Sequence, residues 1–270
     1  MVDVSRDKIV PTMSSQAPDR RAFLKSAALA GGSLLVGCRD FTKELAPELD
    51  LSAGVLRARP RAPTTLAPEE LQALGLSTGA RDGRLYVPPG HRADEPLPLL
   101  LLLHGAGGDS ASWFGSYEQR ARDARLILLA PDSRGSTWDL VMGNYGEDVA
   151  FIDAALGRTF DRCAVNPAKI AVAGFSDGAS YSLGLGLLNG DLFSKVIAYS
   201  PGFLANTGLT RPGVFVWHGI QDPILPINQC GQPIAQQLRA DGYAVTYLEF
   251  EGGHQVPQST SDAAITWLMA

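Results

Sequence analysis

The chain is predicted to fold as an α/β protein, with a mostly parallel central sheet and helices on both faces. Three observations carry this reading. Short apolar or alternating runs alternate with segments of helix length. The run Leu99-Leu100-Leu101-Leu102-Leu103 is apolar at every position, as expected of a strand buried on both faces. The connections between runs are short, which suits helices that return directly onto a sheet.

In chain order, a first strand is expected over 85–87 and a second over 97–103, the leucine run, in a central position. A third follows over 126–130, then a helix over 147–160. The β-branched and apolar run ending in Ile170-Ala171-Val172-Ala173 is the next strand, and a helix over 179–188 follows it. Strands over 195–199 and 214–217 lead to a helix over 228–240. The alternating run Val245-Thr246-Tyr247-Leu248-Glu249-Phe250 is the last strand, and a helix over 259–269 closes the chain. No insertion is long enough for a large lid.

Three segments are expected: a removable leader (1–37), an anchor and tether (38–80), and a catalytic domain (81–270). Arg20-Arg21-Ala22-Phe23-Leu24-Lys25 matches a twin-arginine export motif, and the apolar stretch that follows is too short to span a membrane. Leu35-Val36-Gly37-Cys38 resembles a bacterial lipobox, with Cys38 as the lipidated residue. The protein is therefore expected to be exported and periplasmic, anchored to the membrane if Cys38 is modified. The Pro-, Ala- and Arg-rich stretch 41–68 reads as a loosely packed tether. The leader holds five of the 23 basic and three of the 28 acidic residues, so its removal moves the net charge from −5 to −7. That balance argues against nucleic acid as a partner. Cys163 and Cys230 are expected as buried free thiols, with a disulfide between them as the alternative. No metal-ligand spacing is visible, and no cofactor is expected.

The chemistry concentrates at Gly174-Phe175-Ser176-Asp177-Gly178, a G-x-S-x-G between a strand and a helix. Such an elbow presents a serine in a strained turn, and glycines let neighbouring backbone approach. A serine hydroxyl needs a base, a group to orient that base, and donors for the developing oxyanion. Of the four histidines, His254 lies in a Gly-rich loop after the last strand, placed to reach back over the sheet. Asp222 follows the 214–217 strand and lies between serine and histidine in the chain, with Pro223 holding its backbone extended. The alternatives are an exposed loop histidine and an Asp-Pro turn without a catalytic part.

Two backbone N–H groups are expected as oxyanion donors. One belongs to Asp177, at the N-terminus of the following helix. The other belongs to Ala106, with Gly107 as the alternative, in His104-Gly105-Ala106-Gly107-Gly108-Asp109. His104 reads as a buried imidazole bonded to loop backbone. Trp113, Phe114 and Trp138 follow strand ends on the face where such folds bind ligands. They are candidate substrate-lining side chains, with core packing as the alternative.

These pieces together resemble the α/β-hydrolase superfamily, and within it the phospholipase/carboxylesterase group, which the polyhydroxybutyrate-depolymerase-like and feruloyl-esterase-like proteins adjoin. The matching stretches are Leu103 to Asp109, Ala173 to Ala179, His218-Gly219-Ile220-Gln221-Asp222-Pro223-Ile224-Leu225-Pro226, and Gly252-Gly253-His254. The resemblance implies a serine esterase acting on small-molecule or lipid esters without metal or organic cofactor. An acyltransferase or peptidase with the same triad, and a non-catalytic binding lipoprotein of this fold, are the other readings. Many members of the group carry Gln after the nucleophile, where this chain has Asp177. Its N–H donor survives, and its carboxylate is expected to turn away and cap the helix.

Overall fold

The computed structural model describes residues 49–270, except Thr78 and Ala80. The leader, Cys38 and the expected lipobox therefore lie outside the described residues. Eight strands form one sheet: β1 (Glu70–Ala73), β2 (Gly83–Val87), β3 (Leu97–Leu103), β4 (Ile127–Pro131), β5 (Val165–Phe175), β6 (Lys195–Tyr199), β7 (Gly213–Gly219) and β8 (Val245–Phe250). Their order is β1-β2-β4-β3-β5-β6-β7-β8. β1 and β2 run antiparallel at one edge, and every pairing from β4 to β8 is parallel. This is the α/β-hydrolase fold expected from the sequence.

Among the described residues five α-helices cover the sheet: α1 (Ala111–Asp123), α2 (Glu147–Arg162), α3 (Asp177–Leu188), α4 (Gly231–Ala240) and α5 (Gln258–Met269). The leucine strand β3 shows why two layers are needed. All seven of its residues are buried. Leu99, Leu101 and Leu103 join a core shared with α2, α3 and α4, whereas Leu100 and Leu102 join a second core under α1 and α5. Each fully buried leucine is worth about 1.5–3 kcal/mol, so the pattern strongly favours a strand covered on both faces.

The stretch expected as a loose tether docks on the domain from Leu49 onward. Leu56 is fully buried, and its N–H donates to Asn189 Oδ1 (2.7 Å). The Arg57 and Ala58 N–H groups both donate to Asp153 Oδ1 (2.7 and 2.8 Å). Thr64 and Ala67 donate to the Asp161 and Arg162 carbonyls at the end of α2 (both 2.8 Å). Two of its arginines pair with the domain, Arg59 with Asp191 and Arg61 with Asp161. Prolines keep this strap extended while its backbone bonds to side chains and to carbonyls at the end of α2 rather than to a strand ladder.

The cysteine expectation is corrected at one position. Cys163 is a free buried thiol at the end of α2. Cys230, at the start of α4, is disulfide-bonded rather than free. The bridge between these two does not form: Cys163 follows the end of α2 and is buried in the core, whereas Cys230 precedes α4, which packs on β7 and β8.

Candidate active site

β5 ends at Phe175 and α3 begins at Asp177, so Ser176 alone makes the turn. Its backbone lies at φ 57° and ψ −119°, a region that non-glycine residues avoid. The strain is held from two sides. The Ser176 N–H donates to the Tyr199 carbonyl at the end of β6 (2.9 Å). The flanking glycines allow close approach: a Cβ on Gly174 would overlap the Gly178 carbonyl, and one on Gly178 would overlap the Leu103 carbonyl. Without these contacts β3, β5 and α3 could not converge, and Ser176 would not stand at the sheet's edge.

The structure brings Ser176, His254 and Asp222 together from three loops at the C-terminal ends of the parallel strands. His254 Nε2 lies 2.9 Å from Ser176 Oγ, and His254 Nδ1 lies 2.7 Å from Asp222 Oδ2. The tautomer that satisfies both has Nδ1–H donating to the carboxylate and Nε2 accepting from the serine hydroxyl. The Phe175 ring stacks beside the imidazole, with centroids 4.6 Å apart, and limits how it can turn.

Asp222 is buried and fully engaged. Its Oδ1 accepts from the Ile224 and Leu225 N–H groups (both 2.9 Å). A second histidine supports the acid: His218 Nε2–H donates to the Leu225 carbonyl (2.7 Å) and lies 3.4 Å from Asp222 Oδ2. Burial alone would raise the Asp222 pKa, but hydrogen bonds from His218, His254 and the Leu225 N–H outweigh it. They hold the carboxyl well below the usual carboxylate range. The consequence for stability has a definite sign. A depressed folded pKa contributes stability above the unfolded carboxylate value, about 4, and that stability is lost as pH falls through the folded value. Asp222→Asn is therefore expected to lower the melting midpoint at pH 7, and the gap to wild type should close on acidification below pH about 4. Thermal melts across pH read this directly; a gap independent of pH would contradict it.

The loop after β3 carries the first expected oxyanion donor. Gly108 N–H donates to the Gly105 carbonyl (3.0 Å), closing a turn in which Gly107 adopts φ +69°. His104 fixes this turn from below. The Ser133 N–H donates to its Nε2 (3.0 Å), so Nδ1 carries the proton that it gives to the Gly105 carbonyl (2.7 Å). Burial pushes the His104 pKa down, and the nearby Arg81 guanidinium adds to this, so the ring stays neutral. Arg81 also donates to the Gly108 carbonyl (3.0 Å) and the Ser133 carbonyl (2.5 Å).

The two expected donor positions in this loop are not equivalent. The Gly107 N–H is spent on the Ser136 carbonyl (2.7 Å). The N–H groups of Ala106 and Asp177 have no acceptor among the described residues. Ala106 rather than Gly107 is thus left with an N–H free to donate, as is Asp177.

Two other expectations are corrected. The Asp177 side chain does not cap α3: its Oδ2 accepts from Thr137 Oγ1 (2.6 Å), a residue of the loop after β4. Burial pushes its carboxyl pKa up, against the lowering effect of the Thr137 hydroxyl. Trp113, Phe114 and Trp138 are all buried in the core rather than lining an open cleft. Trp113 and Phe114 face the sheet from α1, beside Tyr117. Trp138 is fully buried, stacks between His104 and Tyr181, and donates from Nε1 to the His104 carbonyl (2.7 Å). Their sequence positions after strand ends are real, but aromatic mass at a strand end packs inward when the loop folds over it.

No family model matches the chain. It is similar to feruloyl esterase C of Emericella nidulans, with 30% identity over 212 residues that span 64% of this chain and 77% of that one. It is equally similar to a probable feruloyl esterase C of Aspergillus niger, 30% identical over 211 residues, 64% and 76% of the two chains. Among solved structures, esterase PE8 shares the fold with a TM-score of 0.56 at 22% identity, covering 69% of this chain and 96% of its own. The acetyl xylan esterase from Aspergillus awamori does so with a TM-score of 0.58 at 15% identity, covering 74% of this chain and 100% of its own.

Proposed function

We propose that this chain, which belongs to the esterase family of feruloyl esterase C and is a carboxylic ester hydrolase, works through a Ser176-His254-Asp222 triad and an acyl-enzyme. The observation that carries the reading is the continuous pair of hydrogen bonds through His254, 2.9 Å to the nucleophile and 2.7 Å to the acid. Ser176 Oγ attacks the ester carbonyl carbon and passes its proton to His254 Nε2. The carbonyl oxygen becomes an oxyanion held by the Ala106 and Asp177 N–H groups. The tetrahedral centre collapses, the C–O bond to the alcohol breaks, and His254 protonates the departing alkoxide. Water then attacks the acyl-enzyme with its proton going to His254. The second collapse releases the carboxylic acid and returns the proton to Ser176. Asp222 stays ionised throughout and stabilises the imidazolium.

The relatives' names make feruloyl esters the first natural-type substrates to test, beside p-nitrophenyl esters of graded acyl length. Rapid mixing with p-nitrophenyl acetate should release a burst of nitrophenol near one equivalent per chain, followed by slower turnover. Folded protein that hydrolyses neither the p-nitrophenyl series nor methyl ferulate would contradict the reading.

Export is the second part of the proposal, supported by the order of double arginine, apolar stretch and lipobox in residues 20–38. Mass spectrometry of the mature N-terminus is expected to find a chain that begins downstream of the double arginine. An N-terminus at Met1 would contradict export.

A further inference from the structure

Three consecutive residues in the loop after β4 each bridge to a different part of the oxyanion site. The Ser136 carbonyl accepts from the Gly107 N–H (2.7 Å). Thr137 Oγ1 donates to Asp177 Oδ2 (2.6 Å). Trp138 Nε1–H donates to the His104 carbonyl (2.7 Å). Two of these bonds hold the loop that carries the Ala106 donor. The third holds the residue that carries the other donor. The two donors come from separate strands, β3 and β5, and nothing else in the described hydrogen bonding joins the loops beyond those strands.

We infer that the segment Ser136-Thr137-Trp138 is a brace that sets the spacing of the two oxyanion N–H groups, with Thr137 as the positioning residue that acts through the Asp177 carboxyl. The inference rests on the triad reading above and extends it to a residue that does not touch the reacting atoms.

The physical case has two parts. An oxyanion donor is effective only when it is aimed at the place where charge develops, and displacement by a fraction of an ångström weakens it. The brace is itself held: Asp148 accepts from the Arg134 and Asp139 N–H groups (2.5 and 2.7 Å), and Asp139 accepts from the Asp148 N–H in return (2.9 Å). It is therefore a fixed reference, not a mobile loop. The second part is charge. Asp177 puts a carboxyl beside a site that must hold an anion. The Thr137 hydroxyl claims Oδ2 and turns the group toward the β4 loop. Without that bond the carboxyl can rotate toward the oxyanion or toward its own N–H, and either outcome weakens the hole.

The test compares wild type, Thr137→Val, Thr137→Ser, Asp177→Ala and the double variant Thr137→Val/Asp177→Ala on p-nitrophenyl acetate. Affinity for an aryl trifluoromethyl ketone is measured alongside. That ketone adds Ser176 Oγ at its carbonyl carbon, gives the serine proton to His254, and places a hemiketal oxyanion in the hole. Thr137→Val is expected to lower kcat about tenfold or more, since outright loss of a donor costs about 10²–10³, with KM within about twofold. Ketone affinity should fall in parallel, and Thr137→Ser should restore most of the loss. The double variant should lose much less than the product of the two single losses, because both break one bond. A merely structural role would lower the melting midpoint without this split between kcat and KM. The inference is overturned if Thr137→Val keeps kcat within twofold, if its loss falls wholly in KM, or if the serine variant fails to recover. Should Thr137→Val not fold, Thr137→Ser beside Thr137→Ala gives the same comparison. A wild type that neither turns over the ester nor binds the ketone sinks the triad reading itself, whereas an active wild type indifferent to Thr137 sinks only the brace.

Discussion

Ser176→Ala is expected to lower kcat/KM for ester hydrolysis by about 10⁶-fold, the scale of losing a triad nucleophile. The argument is chemical rather than structural. The Ser176 hydroxyl makes a single hydrogen bond, to His254, and the strain at φ 57° belongs to the backbone. Removing the hydroxyl leaves the elbow, the Ser176 N–H bond to Tyr199 and the oxyanion donors in place. The melting midpoint should therefore stay near wild type. A residual rate of about 10³–10⁴ over water is expected, because the oxyanion site and substrate binding survive. Side-by-side kinetics and melts check this. A variant that keeps more than a few per cent of wild-type activity would move the nucleophile elsewhere.

Gly178→Ala is expected to lower stability by more than about 3 kcal/mol, near the top of the range for overpacking. The added Cβ would collide with the Leu103 and His104 carbonyls, which are backbone at the end of the central strand. No flexible side chain can give way there, so α3 and β3 must part. Gly157→Ala in α2 is the matched control. A Cβ there meets nothing within 4 Å, and the site is helical. That variant should gain up to about 1 kcal/mol from the helix preference of alanine. Urea unfolding of both variants measures the contrast; similar midpoints would refute the close-approach argument.

The parts legible in the sequence were those where a local pattern and a tertiary role coincide. β3, β6 and β8 lie where their apolar or alternating runs end. The chain order Ser176, Asp222, His254 became a spatial triad because the three positions all lie beyond the C-terminal ends of parallel strands, which share one edge. What was illegible depended on contacts between distant segments. β1 is four residues, Glu70-Leu71-Gln72-Ala73, at the sheet's edge, with none of them fully buried, and so short an alternation is too weak a signal to stand out. α1 did leave a signal: Trp113, Phe114, Tyr117 and Ala121 fall on one helical face. They are substrate walls only if that spacing is ignored. The strap over 49–68 is Pro-rich because it is extended, and its order comes from Asp153, Asp161 and Asn189, each about 90 or more residues away.

The site residues missed by sequence reading were of the same kind. Thr137 and Arg81 act through bonds to loops that sequence alone cannot bring near them. His218 was visible in the quoted His218-to-Pro226 stretch, four residues before the acid, but its support of Asp222 needs the loop to fold back. Propensity alone makes Asp177 a helix cap, whereas in the fold Thr137 Oγ1, at 2.6 Å, takes its carboxyl instead. The choice between Ala106 and Gly107 required knowing which N–H was already used.

The central claim is that an acyl group passes through Ser176. The most direct measurement is acid-quenched mass spectrometry of the wild-type protein caught in steady state with p-nitrophenyl acetate, followed by peptide mapping. The account predicts one acetyl group per chain, on the peptide that contains Ser176, and none on the Ser176→Ala variant. An adduct mapped to another residue, or retained on that variant, would contradict it.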